Sequence, residues 1–332
     1  MWWLNLLRPS HKFGIEVGFY VSLGDKHFGC TSTPDPMGQK KLVGNRDIYF
    51  PALLGQIREL FTNYGKISEI WFKGVHDPFG FYEMDSRTMN KLGTSMGDSI
   101  HALVKKLQLD AIVMGWTRPD LQWYGSEQRW AVYPLWAVVN PKDWETNYIP
   151  PYVKGWVPAD ANIHTRNSWF WRPGSDSKLR SVNFLKKVYF ESIGRGANLL
   201  INMTSDTSGL IPIGEVNRLH EFGQMIQIAF SNPLESTDNL EIHSNMLLIK
   251  FKQKQTVNLI VMNEAIKFGQ HIKQYMVEAF TDGNWNVVNK GESIGVKRIV
   301  AIDPMEATKM RLMLFSDGYA PIIKKFIVYN SN

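Results

Sequence analysis

Apolar residues recur at three- and four-residue spacing through Leu53, Leu54, Ile57, Leu60 and Phe61, which predicts an amphipathic helix over residues 53–64. The apolar run Glu69-Ile70-Trp71-Phe72 follows, stops at Lys73-Gly74 and reads as a strand. The same alternation of periods returns downstream. A helix through residues 100–107 leads into a strand over 111–115, a helix over 182–192 leads into a strand over 198–202, and a last helix covers 215–230. Upstream, residues 14–22 are rich in β-branched and aromatic side chains and read as a buried strand, with the tail of a helix over 8–12 before them. Helices that run into short apolar strands are the grammar of a parallel βα barrel, in which chemistry sits at the C-terminal ends of the strands. Lys73 stands at such an end.

Both periods fail between residues 116 and 171, a stretch that holds eight tryptophans and several prolines and reads as long functional loops. Segments 23–45 and 75–92 read as loops too. Beyond Asn232-Pro233 the pattern becomes one of short strands, at 246–251, 256–262, 275–280, 285–288, 298–302, 309–315 and 324–329, with turn signals at Asp282-Gly283 and Asp317-Gly318. That is the signature of a β-sandwich. The expected organisation is therefore a βα domain over 1–231 followed by a β-sandwich domain over 232–332.

Composition narrows the function classes. The net charge of +6 is spread along the 332 residues instead of clustering, which argues against a nucleic-acid partner. No run of about 18 apolar residues suggests a membrane span, and the opening Met1-Trp2-Trp3-Leu4-Asn5-Leu6-Leu7 is too soon interrupted by Arg8-Pro9 to read as a signal peptide. With Cys30 the only cysteine, an intrachain disulfide is excluded. Asp25, His27, Asp85 and His76-Asp77 have no metal-ligand spacing and no phosphate-binding glycine loop occurs, so neither metal nor cofactor is expected. The 12 tryptophans, several of them in loops, suit stacking on the apolar face of a sugar as well as core packing.

Arg58-Glu59-Leu60-Phe61-Thr62-Asn63-Tyr64-Gly65, Glu69-Ile70-Trp71-Phe72, Trp123-Tyr124-Gly125-Ser126-Glu127 and Trp156-Val157-Pro158-Ala159-Asp160 follow one another in an order that resembles the α-L-fucosidases of glycoside hydrolase family 29. Residues 58–65 and 69–72 are similar to the family's E-L-L-T-N-Y-G helix and the strand ending W-F-D-G. Trp123-Tyr124-Gly125-Ser126-Glu127 resembles W-x-G-N-E, and Trp156-Val157-Pro158-Ala159-Asp160, with Arg166 and Trp169-Phe170, resembles W-V-P-A-E. The segments 192–195, 198–202 and Asp206 to Gly209 resemble the closing barrel strand and its loop. Asp25 and His27 match part of a further motif, S-P-W-D-R-H, and Arg172 stands where the family commonly has a histidine.

The resemblance implies a (β/α)8-like TIM barrel with a C-terminal β-sandwich, and retaining hydrolysis of terminal α-linked L-fucose from glycans. That reaction uses a carboxylate nucleophile and a carboxylic acid about 5–5.5 Å apart. By the same resemblance the acid/base falls on Glu127, and Trp71, Asp25, His27, Trp123, Trp156, Arg166 and Trp169 line the sugar site. The nucleophile position falls on Lys73, whose ammonium can neither form a glycosyl ester nor stabilise an oxocarbenium ion. Two alternatives follow: Asp77 substitutes from its neighbouring loop, or the chain binds fucosylated glycan without turnover. The family's first barrel strands, with their His-His pair, have no match in residues 1–13, so the expected barrel lacks them.

Overall fold

The computed structural model describes residues 9–10, 12–22, 31–34, 40–43, 46–73, 96–115, 120–123, 130–139, 155–237, 242–316 and 318–331. The chain divides into two compact units, one of residues 1–123 and 139–157, the other of 124–138 and 158–332.

In the first unit β1 (Gly18–Ser22), β4 (Glu69–Lys73) and β5 (Ile112–Gly115) form a parallel sheet with β4 in the middle. Between β1 and β4 a small antiparallel pair, β2 (Thr31–Pro34) and β3 (Lys40–Val43), occupies part of the expected loop. Helix α1 (Arg46–Asn63) precedes β4 and α2 (Met96–Leu107) precedes β5. The apolar stripe of the sequence is the buried one: Leu53, Ile57 and Phe61 of α1 and Ile100 and Val104 of α2 pack on Ile70 and Phe72 of β4. Each such burial is worth roughly 1.5–3 kcal/mol. Helix α1 starts seven residues before the expected position because Pro51 does not break it; so near the N-terminus, proline removes a single ladder bond. Gln108 joins the end of α1 to the start of β4. Its Nε2 donates to the carbonyls of Phe61 (3.0 Å) and Gly65 (2.8 Å), and its Oε1 accepts from the Ile67 N–H (2.8 Å). Helix-end carbonyls that would lack partners are thereby satisfied.

Segment 116–171 is less irregular than its sequence suggests. It contains β6 (Gln122–Trp123), β7 (Val138–Val139), β8 (Gly155–Trp156) and β9 (Ala159–His164). The last escapes a sequence reading because its alternation is Ala-Asp-Ala-Asn-Ile-His, with few β-branched residues and polar residues in buried places. In the second unit β9 lies parallel to β10 (Asn198–Asn202), in register from Asp160 opposite Asn198 to His164 opposite Asn202. Helix α3 (Val182–Glu191) connects them, capped by Ser181, whose hydroxyl accepts from the Phe184 N–H at 3.2 Å; α4 (Ile213–Ala229) follows β10. Ile163, Leu185, Val188 and Phe222 fill the space between strands and helices.

The rest of this unit is an antiparallel sheet of β11 (Pro233–Thr237), β12 (Ile242–His243), β13 (Met246–Glu264), β14 (Ile272–Thr281), β15 (Asn284–Gly291), β16 (Arg298–Ser316) and β17 (Ile322–Tyr329). The order is β11-β17-β13-β16-β14-β15, with β12 on β17. Two pairs of expected short strands are thus single strands of 19 residues. Lys252, Gln253 and Lys254 are exposed and fall between two expected strands, yet β13 continues through them with register shifts between Lys250 and Gln255 and between Val257 and Leu259. Residues from both halves of β13, Leu247 and Ile249 together with Ile260 and Met262, enter one core with Val277, Leu312 and Phe326. The antiparallel sheet also carries the helical part of its unit, through Tyr189, Phe190, Phe230, Ile299 and Tyr329. Gly194 lies at this seam, where an added Cβ would stand 2.9 Å from that of Ile299.

Candidate active site

Each unit presents a set of parallel strands whose C-terminal ends lie side by side. In the first, Ser22 of β1 is opposite Lys73 of β4, and Phe72 is opposite Gly115 of β5. Strand alternation puts Ile70 and Phe72 against the helices and positions 69 and 71 on the other face. Trp71, only 9% exposed, meets Tyr20 of β1 edge to face, with centroids 5.3 Å apart. Position 73 therefore follows an aromatic pair at the end of the central strand. At the opposite end of the same row, burial pushes the Glu69 carboxyl above its usual value.

A third element fixes this edge from behind. Asp120, just past β5, accepts from the Lys105 ammonium (2.6 Å) and the Val113 N–H (2.9 Å), and His101 lies 3.6 Å away. Burial opposes its charge, but these donors prevail and hold it at about 2.

In the second unit Ala161 and Ile163 of β9 face the apolar clusters, which leaves Asp160, Asn162 and His164 on the other face. Asp160 and Asn162 are buried. His164 ends the row: its Nδ1 contacts the Arg166 carbonyl, and its ring packs edge-on against Trp169 at 5.0 Å. Asn202, at the end of β10, donates from Nδ2 to the Trp169 carbonyl at 3.0 Å. Strand ends and tryptophan loop are thereby joined.

Arg166, fully buried, holds the next layer. Its Nη1 donates to Ser175 Oγ (2.8 Å) and Asp176 Oδ1 (2.7 Å), and its Nη2 to Glu215 Oε2 (2.7 Å) on the first turn of α4. Thr165 donates its hydroxyl to the other Glu215 oxygen. Desolvation works against the guanidinium charge, but Asp176 and Glu215 outweigh it and raise its pKa. Both carboxylates thus serve Arg166 as counter-charges. Past β10 the Asp206–Gly209 motif is a turn: Asp206 Oδ1 accepts the Ser208 N–H at 2.8 Å, and Gly209 has φ 81°.

Of the residues singled out in the sequence, Glu127, Asp25, His27 and Asp77 lie outside the described residues. Lys73 and Trp123 are described as backbone positions in β4 and β6. Trp156 is exposed on β8, and Trp169 is half-buried against His164. Asp160 and Asn202 lie in segments that carry the resemblance, but the polar row they belong to, with Asn162, His164 and Glu215, is not evident from the sequence. Its only signal was the alternation Asp160, Asn162, His164 between tryptophan segments; Glu215, 49 residues from Arg166, carried none. Among the described residues no cluster of His, Cys, Asp and Glu is arranged to hold a metal ion.

A model of the family described as Alpha-L-fucosidase matches residues 5–229, from before β1 through α4. The chain belongs to the alpha-L-fucosidase family. Among curated relatives, alpha-L-fucosidase 1 of Arabidopsis thaliana is 27% identical, covering 98% of this chain and 68% of its own. A relative from Oryza sativa subsp. japonica is 25% identical, covering 99% and 66%. The chain thus spans about two thirds of the length of these relatives. A crystal structure from Bacteroides thetaiotaomicron aligns at TM-score 0.81 and 28% identity, over 99% of this chain and 76% of that one. A Ruminococcus gnavus GH29 fucosidase solved in complex with fucose aligns at TM-score 0.79 and 19% identity, over 99% and 75%, a likeness of fold. The alpha-L-fucosidase fold therefore includes the antiparallel sheet as well as the parallel strands.

Proposed function

We propose that this alpha-L-fucosidase-family chain receives a terminal α-L-fucosyl residue of a glycan at the C-terminal ends of its parallel strands, and that lysine at position 73 cripples the family's retaining hydrolysis. On this reading residues 1–231 follow a (β/α)8-like barrel plan and 232–332 a β-sandwich. The observation that carries it is the position of Lys73, at the end of the central strand β4, two residues after the buried Trp71.

The reaction of such a site has two steps. A carboxylate attacks the anomeric carbon while an acid, assigned to Glu127, protonates the departing glycosidic oxygen; the same residue, now a base, then takes a proton from the water that hydrolyses the glycosyl ester. Lysine supplies no ester, and its charge opposes the one that develops at the anomeric carbon. A unit charge about 4 Å away contributes roughly 4 kcal/mol at an effective dielectric of about 20, so exchanging −1 for +1 is a swing of about 8 kcal/mol before solvent reduces it. That full swing corresponds to about six orders of magnitude in rate, and to about five or more once solvent is allowed for.

Recognition does not need the nucleophile. Trp71, Trp123, Trp156 and Trp169 supply stacking surfaces, with Asp25, His27 and Arg166 assigned to the sugar site or its walls. Thermal unfolding with and without L-fucose tests recognition. The reading expects Tm to rise with fucose and not with D-glucose. Equal Tm in both sugars would remove it.

A further inference from the structure

Beside α3, where it meets β15 and β16, lies a cavity of about 520 Å³ whose walls carry Lys186, Lys187, Arg195 and Arg298. Arg195 stands three residues before Asn198, the first residue of β10, so the cavity is at the opposite end of that strand from Asn202. Among the described residues the only carboxylate paired with any of these four cations is Glu191, 3.5 Å from Arg195.

Neutral groups hold the cations in place. The Arg298 guanidinium lies over the Tyr133 ring at 4.1 Å, with Nε donating to Tyr275 Oη (3.1 Å) and Nη1 to the Gly194 carbonyl (3.2 Å). Tyr275 in turn donates to Asn289 Oδ1 at 3.0 Å, another residue of the wall. Arg195 Nη1 donates to the Ala131 carbonyl at 2.6 Å, and the Lys187 ammonium sits over Trp130 at 5.4 Å. These partners orient the charged groups without neutralising them. Burial, with repulsion from Arg298, holds the Arg195 guanidinium below its ordinary value despite Glu191. Like charges gathered around a cavity are a cost that a bound anion removes. Guanidinium groups with spare N–H donors are suited to the oxygens of sulfate, phosphate and carboxylate.

We propose that this cavity, walled by Lys186, Lys187, Arg195 and Arg298, is an oxyanion-binding site separate from the strand-end site, its ligand a sulfate, phosphate or carboxylate group carried on a saccharide. The volume exceeds that of a bare ion, since one water occupies about 30 Å³ of the liquid. Phe190, the aromatic residue of the wall and a neighbour of the Lys186 ammonium, offers its ring to the sugar that bears the anion.

The test is calorimetric titration of the whole chain with a sulfated disaccharide, its unsulfated counterpart and sodium sulfate, repeated on Lys186→Gln/Lys187→Gln and on Arg195→Gln. The expected result is binding of the sulfated disaccharide alone of the two sugars, weakened by salt and about ten- to a hundredfold weaker in the double variant. Equal binding of sodium sulfate would make the bare oxyanion the ligand, and absence of its binding would make it the sugar-borne one; each upholds the site. Lys187 is exposed and Lys186 half-buried on α3, and glutamine keeps most of each side chain's length, so the double variant is expected to keep its unfolding temperature and tests the site even where Arg195→Gln does not fold. Failure of the sulfated disaccharide and sulfate alike to bind overturns the proposal, as does undiminished binding in a folded double variant.

Discussion

The two sets of strand ends are built on different principles. Around β4 the support is apolar: Ile70 and Phe72 are clamped by α1 and α2, and the other face carries the Trp71–Tyr20 pair leading to position 73. At β9 and β10 the support is polar, a buried Arg166 shared by Glu215 and Asp176, with Thr165 and Asn202 tying strands to loop. The apolar support rests on Ile70 and Phe72, neither of them the strand's last residue.

Breaking each support should give losses of similar size with different causes. Removing Glu215 leaves a buried guanidinium short of a counter-charge, so Glu215→Ala is expected to cost about 3–5 kcal/mol in chemical denaturation. Phe72→Ala should also cost about 3–5 kcal/mol, through a cavity. A Glu215→Ala variant that unfolds at the same denaturant concentration as the parent would remove the distinction between the two edges.

Acid should separate them further. The Asp120 carboxyl is held at about 2 in the folded chain, below the ordinary aspartate value near 3.9. A depressed carboxylate contributes stability above its unfolded value and loses it as pH falls through the folded one. The first unit should therefore weaken between about pH 4 and pH 2, and Asp120→Asn should flatten that limb of the unfolding curve. The smallest effect belongs to the aromatic pair: a double-mutant cycle on Tyr20 and Trp71 should give a coupling of about 0.5–1.5 kcal/mol.

The sequence made the apolar edge legible and left the polar one largely unread. Leu53, Ile57 and Phe61 announce α1 by spacing alone, and the strand over 198–202 is found at its observed bounds. By contrast β9 buries Asp160 and Asn162, so the polarity that normally marks a loop marks a strand's inward face. The two 19-residue strands read as four short ones for another reason: exposed polar residues, Lys252 to Lys254 in β13 and Asp303 and Glu306 in β16, interrupt their apolar pattern while the ladder continues. Contacts between residues far apart in sequence, such as Arg166 with Glu215, have no periodicity to betray them.

Position 73 is where the account is most exposed. The direct measurement is the release of aryl alcohol from an aryl α-L-fucoside by the chain and by Lys73→Asp under the same conditions. The account predicts no release above background by the chain and measurable turnover by Lys73→Asp. Turnover by the unaltered chain at ordinary enzymatic rates, about 1–1,000 per second, with no gain from the aspartate, would contradict it.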